Sequence, residues 1–199
     1  QNWKSAVLIV LAFVGIYIVR TVVSVAVQGV SDGSGMQHVK EWAAMFKNPM
    51  MWLNIAALPI NYFFVFIAFF EEYGWRYYLQ PVLQKRFGLR AGVIILGVVW
   101  GLWHIPDDLF YYTQTSGIQM IFAQQITCIS LGIFFAYAYM KTQNIWVPVC
   151  LHYLNNNLIP IISGTFSADV LENQTVSWKD LPVALVLNGL CFGFFLLAD

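Results

Sequence analysis

AVLIVLAFVGIYIVRTVVSVAV, residues 6–27, is an apolar run whose one ionisable side chain is Arg20. A hydrocarbon core about 30 Å thick takes roughly 20 apolar residues of helix to cross. The stretch is therefore read as a membrane span, with Arg20 snorkelling to the interface. Five more stretches come near that length, at 51–79, 92–112, 118–140, 145–163 and 181–198. Of the 199 residues, 59% are hydrophobic and only 10% charged, an apolar content above that of soluble domains. The expected fold is all-α: a polytopic transmembrane bundle of about six helices, one membrane domain over 1–199, with an intramembrane polar site. The first run is too long, and too well followed by others, to be only a signal peptide. Gln1 in place of Met points to a trimmed chain with helices missing upstream.

The second stretch is too long for a simple span, and Pro59 is expected to kink it. Counting loops alternately puts Lys4, Lys85, Arg86, Arg90 and Lys141 on one side, and Asp32, Glu41, Asp107, Asp108, Asp169, Glu172 and Asp180 on the other. The positive-inside rule assigns the first set, and both termini with it, to the cytoplasm. Loop 28–50 carries Trp42 and Phe46 four apart, as an interfacial amphipathic turn would. Asp107 and Asp108 near a helix end are expected to be a solvated cap. Zero net charge and scattered basic residues exclude a nucleic-acid partner. Cys128, Cys150 and Cys191 lie in apolar runs without CxxC spacing and read as small buried hydrophobes.

Against this background the polar residues inside the apolar runs stand out, because each ionisable group in a span costs about 2.5 to 3.5 kcal/mol on insertion scales. They are Glu71, Glu72 and Arg76 in FFEEYGWRYYL (69–79), His104 in WGLWHIP (100–106), and His152 with Asn155, Asn156 and Asn157 in CLHYLNNN (150–157). On an α-helix Arg76 is one turn past Glu72 and pairs with it. Glu71 is rotated by about 100° and has no local partner, so it is free to act as a general base. His152 and Asn156 are four apart, which directs an imidazole and a carboxamide toward one point. Two such donors are what a side-chain oxyanion hole needs. His104 precedes Pro106 and so sits near a turn with freed carbonyls.

Taken in order, EExxxR at 71–76, WxxxH at 100–104 and HxxxN at 152–156 resemble the three motifs of the CPBP family of intramembrane proteases. That family includes the Ras-converting CAAX endopeptidase and the Abi group of bacteriocin-immunity proteins. The resemblance covers about residues 60–165, and Trp100 replaces the usual Phe of the second motif. It implies a peptidase in which Glu71, with His104, activates water while His152 and Asn156 stabilise the oxyanion, Glu72 and Arg76 holding the site together. The family is commonly labelled metalloprotease, and zinc on Glu71, His104 and His152 is the alternative chemistry. There is no HExxH helix, and water activated by glutamate without a metal or other cofactor is favoured.

The expected partners are the lipid bilayer and a membrane-associated peptide or protein substrate, cut at the cytoplasmic side or within the bilayer. A prenylated CAAX protein is one candidate substrate. In a bacterial plasma membrane, the favoured location, a leader or signal peptide is the other. A non-catalytic immunity or partner-binding protein on the same scaffold is the competing class, and an ion transporter a third, against which stands the lack of a paired inverted repeat. Oligomeric state is not encoded.

Overall fold

The computed structural model describes residues 3–64, 66–163 and 168–198, which are helical with no strand among them. Helix α1 (Trp3–Asp32) is followed by α2 (Gly35–Lys47), α3 (Pro49–Phe64), α4 (Phe66–Glu72), a π-helix (Tyr73–Leu79) and α5 (Gln80–Phe87). Then come α6 (Leu89–Trp103), α7 (Ile105–Phe110), α8 (Gly117–Thr142), α9 (Trp146–Ser163), α10 (Ala168–Glu172), α11 (Asp180–Cys191) and a closing 3-10 turn (Gly193–Leu197).

Along α1 the side chains of Leu8, Leu11, Ile18 and Val19 are exposed. An apolar outer surface on an internally hydrogen-bonded helix is what lipid requires. The protein is a multi-pass integral membrane protein. Among the described residues three helical stretches are long and apolar enough to cross a membrane, Trp3–Val27, Leu89–Phe110 and Gly117–Thr142. Pro49–Tyr62 and Phe66–Phe87, bent by 61° to each other, add a fourth if they count as one broken span.

The helical membrane bundle stands, and among the described residues two of the six expected stretches do not reach the length and apolarity of a span. Helix α9 has the length, but His152 and Asn155 to Asn157 dilute its apolar character. Helix α11 ends after 12 residues. Pro59 lies inside α3, and the 61° bend is between Pro49–Tyr62 and Phe66–Phe87. The interfacial turn is a full helix, α2, with no buried residue and Trp42 edge-on to Phe46 at 6.4 Å. The half-buried Arg20 has its guanidinium 5.4 Å over the Tyr17 ring, with Nε buried.

Helix α8 is the axis on which α6, α7, α9 and α11 pack. Its approach to α6 is close because small residues face each other. A Cβ on Gly97 would come within 2.7 Å of the Ile129 Cα, and one on Gly132 within 3.4 Å of the Gly97 Cα. Small residues at such crossings let membrane helices gain van der Waals contact where no hydrophobic drive exists between them. An aromatic core joins α1 to this pair: Phe13 is stacked on Phe134 at 5.6 Å and touches Phe135 and Phe192. A second cluster, with Met51, Leu58, Ala68, Val149, Tyr153 and Ile161, fixes α3 and α4 against α9.

Candidate active site

Chain geometry joins the first and third motif segments through polar groups and brings in the second through the Trp100 ring. The Glu72 carboxylate is fully buried, and its Oε1 accepts from Arg76 Nη1 at 3.0 Å and from His152 Nδ1 at 2.7 Å. Arg76 is held between aromatic faces, 4.4 Å from the Trp100 ring centroid and 5.1 Å from that of Phe135. This is a cation–π setting, strengthened by desolvation. The expected pair of Glu72 and Arg76 is present, but not on an α-helix. From Tyr73 the backbone widens into the π-helix, a form that occurs mostly as short insertions and often at functional sites.

His104 caps α6. Its backbone N–H turns to Gly101 O, so Trp100 O loses its usual helical donor and takes the imidazole Nδ1 at 2.8 Å. A carbonyl accepts only, so Nδ1 carries the proton and Nε2 keeps the lone pair in the neutral ring. By the same reasoning Nδ1 of His152 donates to Glu72, leaving Nε2 for the interior. Both rings are therefore oriented by a partner on the far nitrogen.

Glu71, His104, His152 and Asn156 all line one cavity of about 460 Å³. The Glu71 Oε2 is buried without a hydrogen-bond partner. Asn156 is exposed to the cavity, and its Oδ1 accepts from Asn155 Nδ2 at 2.9 Å. Glu72 and Arg76 lie behind this wall. The cavity reaches toward Asp107, Tyr112, Leu171 and Gln174, and backbone bonding of Gln174 to Tyr112 O closes its rim. Tyr112 remains a neutral phenol near pH 7, because burial, reinforced by Asp107 and Asp108, pushes its pKa up to about 12.

Sequence reasoning missed several of these residues. Gln124, Thr127 and Cys128 of α8 line the cavity, with the Cys128 sulfur 3.7 Å from His104 Nδ1. Cys128 is a small buried residue as expected, but it belongs to the site wall. Polar Gln124 and Thr127 inside an apolar run were the available signal. Asp108 is not a solvated cap: it is fully buried, with neither carboxylate oxygen bonded, whereas Asp107 is exposed on the cavity rim.

The zinc alternative is less well served by this arrangement. Each imidazole is oriented as metal-binding histidines often are, with the second nitrogen on a carbonyl or carboxylate. Even so, among the described residues no three His, Cys, Asp or Glu side chains are grouped to hold a metal.

Residues 52–158 match the family described as Type II CAAX prenyl endopeptidase Rce1-like. A curated relative, "CAAX prenyl protease 2" of Methanococcus maripaludis, is 27% identical over 124 residues, covering 58% of this chain and 45% of the relative. The chain thus spans less than half the length of that protein. No solved structure matches. With over half of its length inside the family match, and the three motif segments joined around one cavity, the chain belongs to the Rce1-like Type II CAAX prenyl endopeptidase family.

Proposed function

We propose that this protein is an intramembrane endopeptidase that hydrolyses a peptide bond in a membrane-associated peptide or protein. The observation that carries this reading is the shared cavity, with an unpartnered Glu71 oxygen and two imidazoles oriented from behind. Glu71 takes a proton from a water whose oxygen adds to the scissile carbonyl carbon, and His104 Nε2 accepts the second water hydrogen bond and holds the nucleophile in line. The carbonyl oxygen becomes an oxyanion, which Asn156 Nδ2 and a protonated His152 Nε2 receive as hydrogen-bond donors. Glu72 supplies the counter-charge for that imidazolium. As the intermediate collapses, the C–N bond breaks and the leaving amine takes the proton that Glu71 had accepted. The proposed water activation is metal-free, because the donors are not gathered as a ligand set, and no step is routed through a metal.

Location follows from charge. Leu89, Arg90, Met140 and Leu196 line one pocket, whereas Asp107 and Gln174 line the cavity that holds Glu71. The positive-inside rule reads the basic end, with both termini, as cytoplasmic. Of the two expected locations, hydrolysis within the bilayer is the one carried forward.

The test reconstitutes the protein in liposomes with two quenched-fluorescent peptides, one S-farnesylated at a C-terminal CAAX sequence and one a membrane-inserted leader peptide, in ¹⁸O-water. Cleavage of at least one, with label in the new carboxyl terminus, is expected. Absence of cleavage of both, or cleavage without label, overturns the proposal.

A further inference from the structure

Helix α1 lies wholly outside the family match, yet one of its side chains reaches the cavity wall. Tyr17 donates from its hydroxyl to Asn155 Oδ1 at 2.6 Å, and Asn155 Nδ2 donates to Asn156 Oδ1 at 2.9 Å. We propose that Tyr17 is a positioning residue: through Asn155 it fixes the amide of Asn156 with its NH2 toward the cavity. The proposal rests on the reading of Asn156 as an oxyanion donor.

Hydrogen-bond polarity sets the sense of the relay. A carboxamide offers an acceptor at one end and donors at the other, and the two ends have nearly the same shape. Asn156 can serve an oxyanion only if its oxygen is turned away, and here that oxygen is occupied by the NH2 of Asn155. Asn155 holds this sense only if its own oxygen faces Tyr17. The 2.6 Å separation suits an O–H···O bond, with the phenol as donor and the carboxamide oxygen as acceptor. Reversing the chain would also leave the phenolic proton of a side chain only 3% exposed without an acceptor, a costly outcome for a buried donor.

The phenol is itself held in place. Its ring is edge-on to Phe13 at 4.9 Å and tilted on Phe192 at 5.4 Å, with the Arg20 guanidinium over its face. Phe13 and Phe192 are both completely buried. The aromatic core of α1, α8 and the chain's last turns thus extends by one hydroxyl group into the electrostatics of the site. The relay gives the first helix a function beyond spanning the bilayer.

The test is Tyr17→Phe, which keeps the ring and removes the oxygen, in the wild-type and Asn156→Ala backgrounds, using whichever peptide probe the wild type cleaves. Loss of a whole oxyanion donor costs about 10² to 10³ in kcat. Loss of its orientation is expected to cost roughly tenfold in kcat with KM unchanged, and nothing further once Asn156 is alanine. An unchanged kcat in Tyr17→Phe, or the same loss in both backgrounds, overturns the relay while leaving the peptidase reading intact. If Asn156→Ala itself keeps full kcat, the donor role of Asn156 fails and the relay with it. Should Tyr17→Phe lower the detergent melting temperature markedly, Asn155→Ala reads the same relay from its middle member, with the same two outcomes.

Discussion

Removing the Arg76 charge isolates the energetics of the buried array behind the site. Arg76 and Glu72 are both fully buried and 3.0 Å apart. Arg76→Met leaves the Glu72 carboxylate with His152 as its one remaining partner. Truncating one member of a buried ion pair costs about 3 to 5 kcal/mol, because the other charge stays desolvated. The stacking of the guanidinium on Trp100 and Phe135 adds to the loss, by up to about 2 kcal/mol for a desolvated cation–π contact. Glu72→Gln strands Arg76 in the same way. The double variant Glu72→Gln/Arg76→Met removes both charges and is expected to be more stable than the sum of the single losses implies, by about 2 to 3 kcal/mol. Reversible unfolding in mixed micelles, read by tryptophan fluorescence, measures all four proteins. The double variant should still lack activity, because His152 loses the carboxylate at its Nδ1. Additive losses, with no coupling between the two positions, refute the claim that these charges exist as a mutually compensated pair.

Gly97→Ala places a methyl group 2.7 Å from the Ile129 Cα, so α6 and α8 must separate; a loss of about 1 to 3 kcal/mol is expected in the same unfolding assay, and an unchanged midpoint would show the crossing to be looser than described. Peptide cleavage should persist in 1,10-phenanthroline at concentrations that strip zinc enzymes, whereas loss restored by added zinc would overturn the metal-free mechanism. His104→Phe keeps an aromatic ring at the end of α6 and is expected to lower kcat by about 10² to 10⁴ with little change in unfolding midpoint; retained kcat would remove His104 from the water-activating pair.

Much of this was legible in the sequence, for reasons that differ by residue. Glu71, His104, His152 and Asn156 were visible because polar groups are costly in apolar helices, and all four line one cavity. The spans of α1, α6 and α8 follow from hydropathy and length. The fifth and sixth do not: the polar groups that α9 brings to the cavity also remove it from the hydropathy signal, and α11 is short. The bond between Glu72 and His152 joins residues 80 positions apart, a tertiary relation that no local period encodes. The π-helix at Tyr73–Leu79 likewise has no signature in residue type. Tyr17 was unreadable because an aromatic residue on an apolar helix looks like core, and its ring is core; only its hydroxyl is not. Asp108 was misjudged because position near a helix end was taken to mean contact with water, whereas α7 packs it against α8.

The central claim is that Glu71 is the base around which the other side chains converge. It is tested most directly by the single-turnover cleavage rate of Glu71→Gln in liposomes, beside the wild type and with equal binding of the peptide probe. A fall of at least about 10² in rate with unchanged probe affinity is expected, since glutamine preserves shape and removes the proton acceptor. A rate within a few-fold of wild type would contradict it.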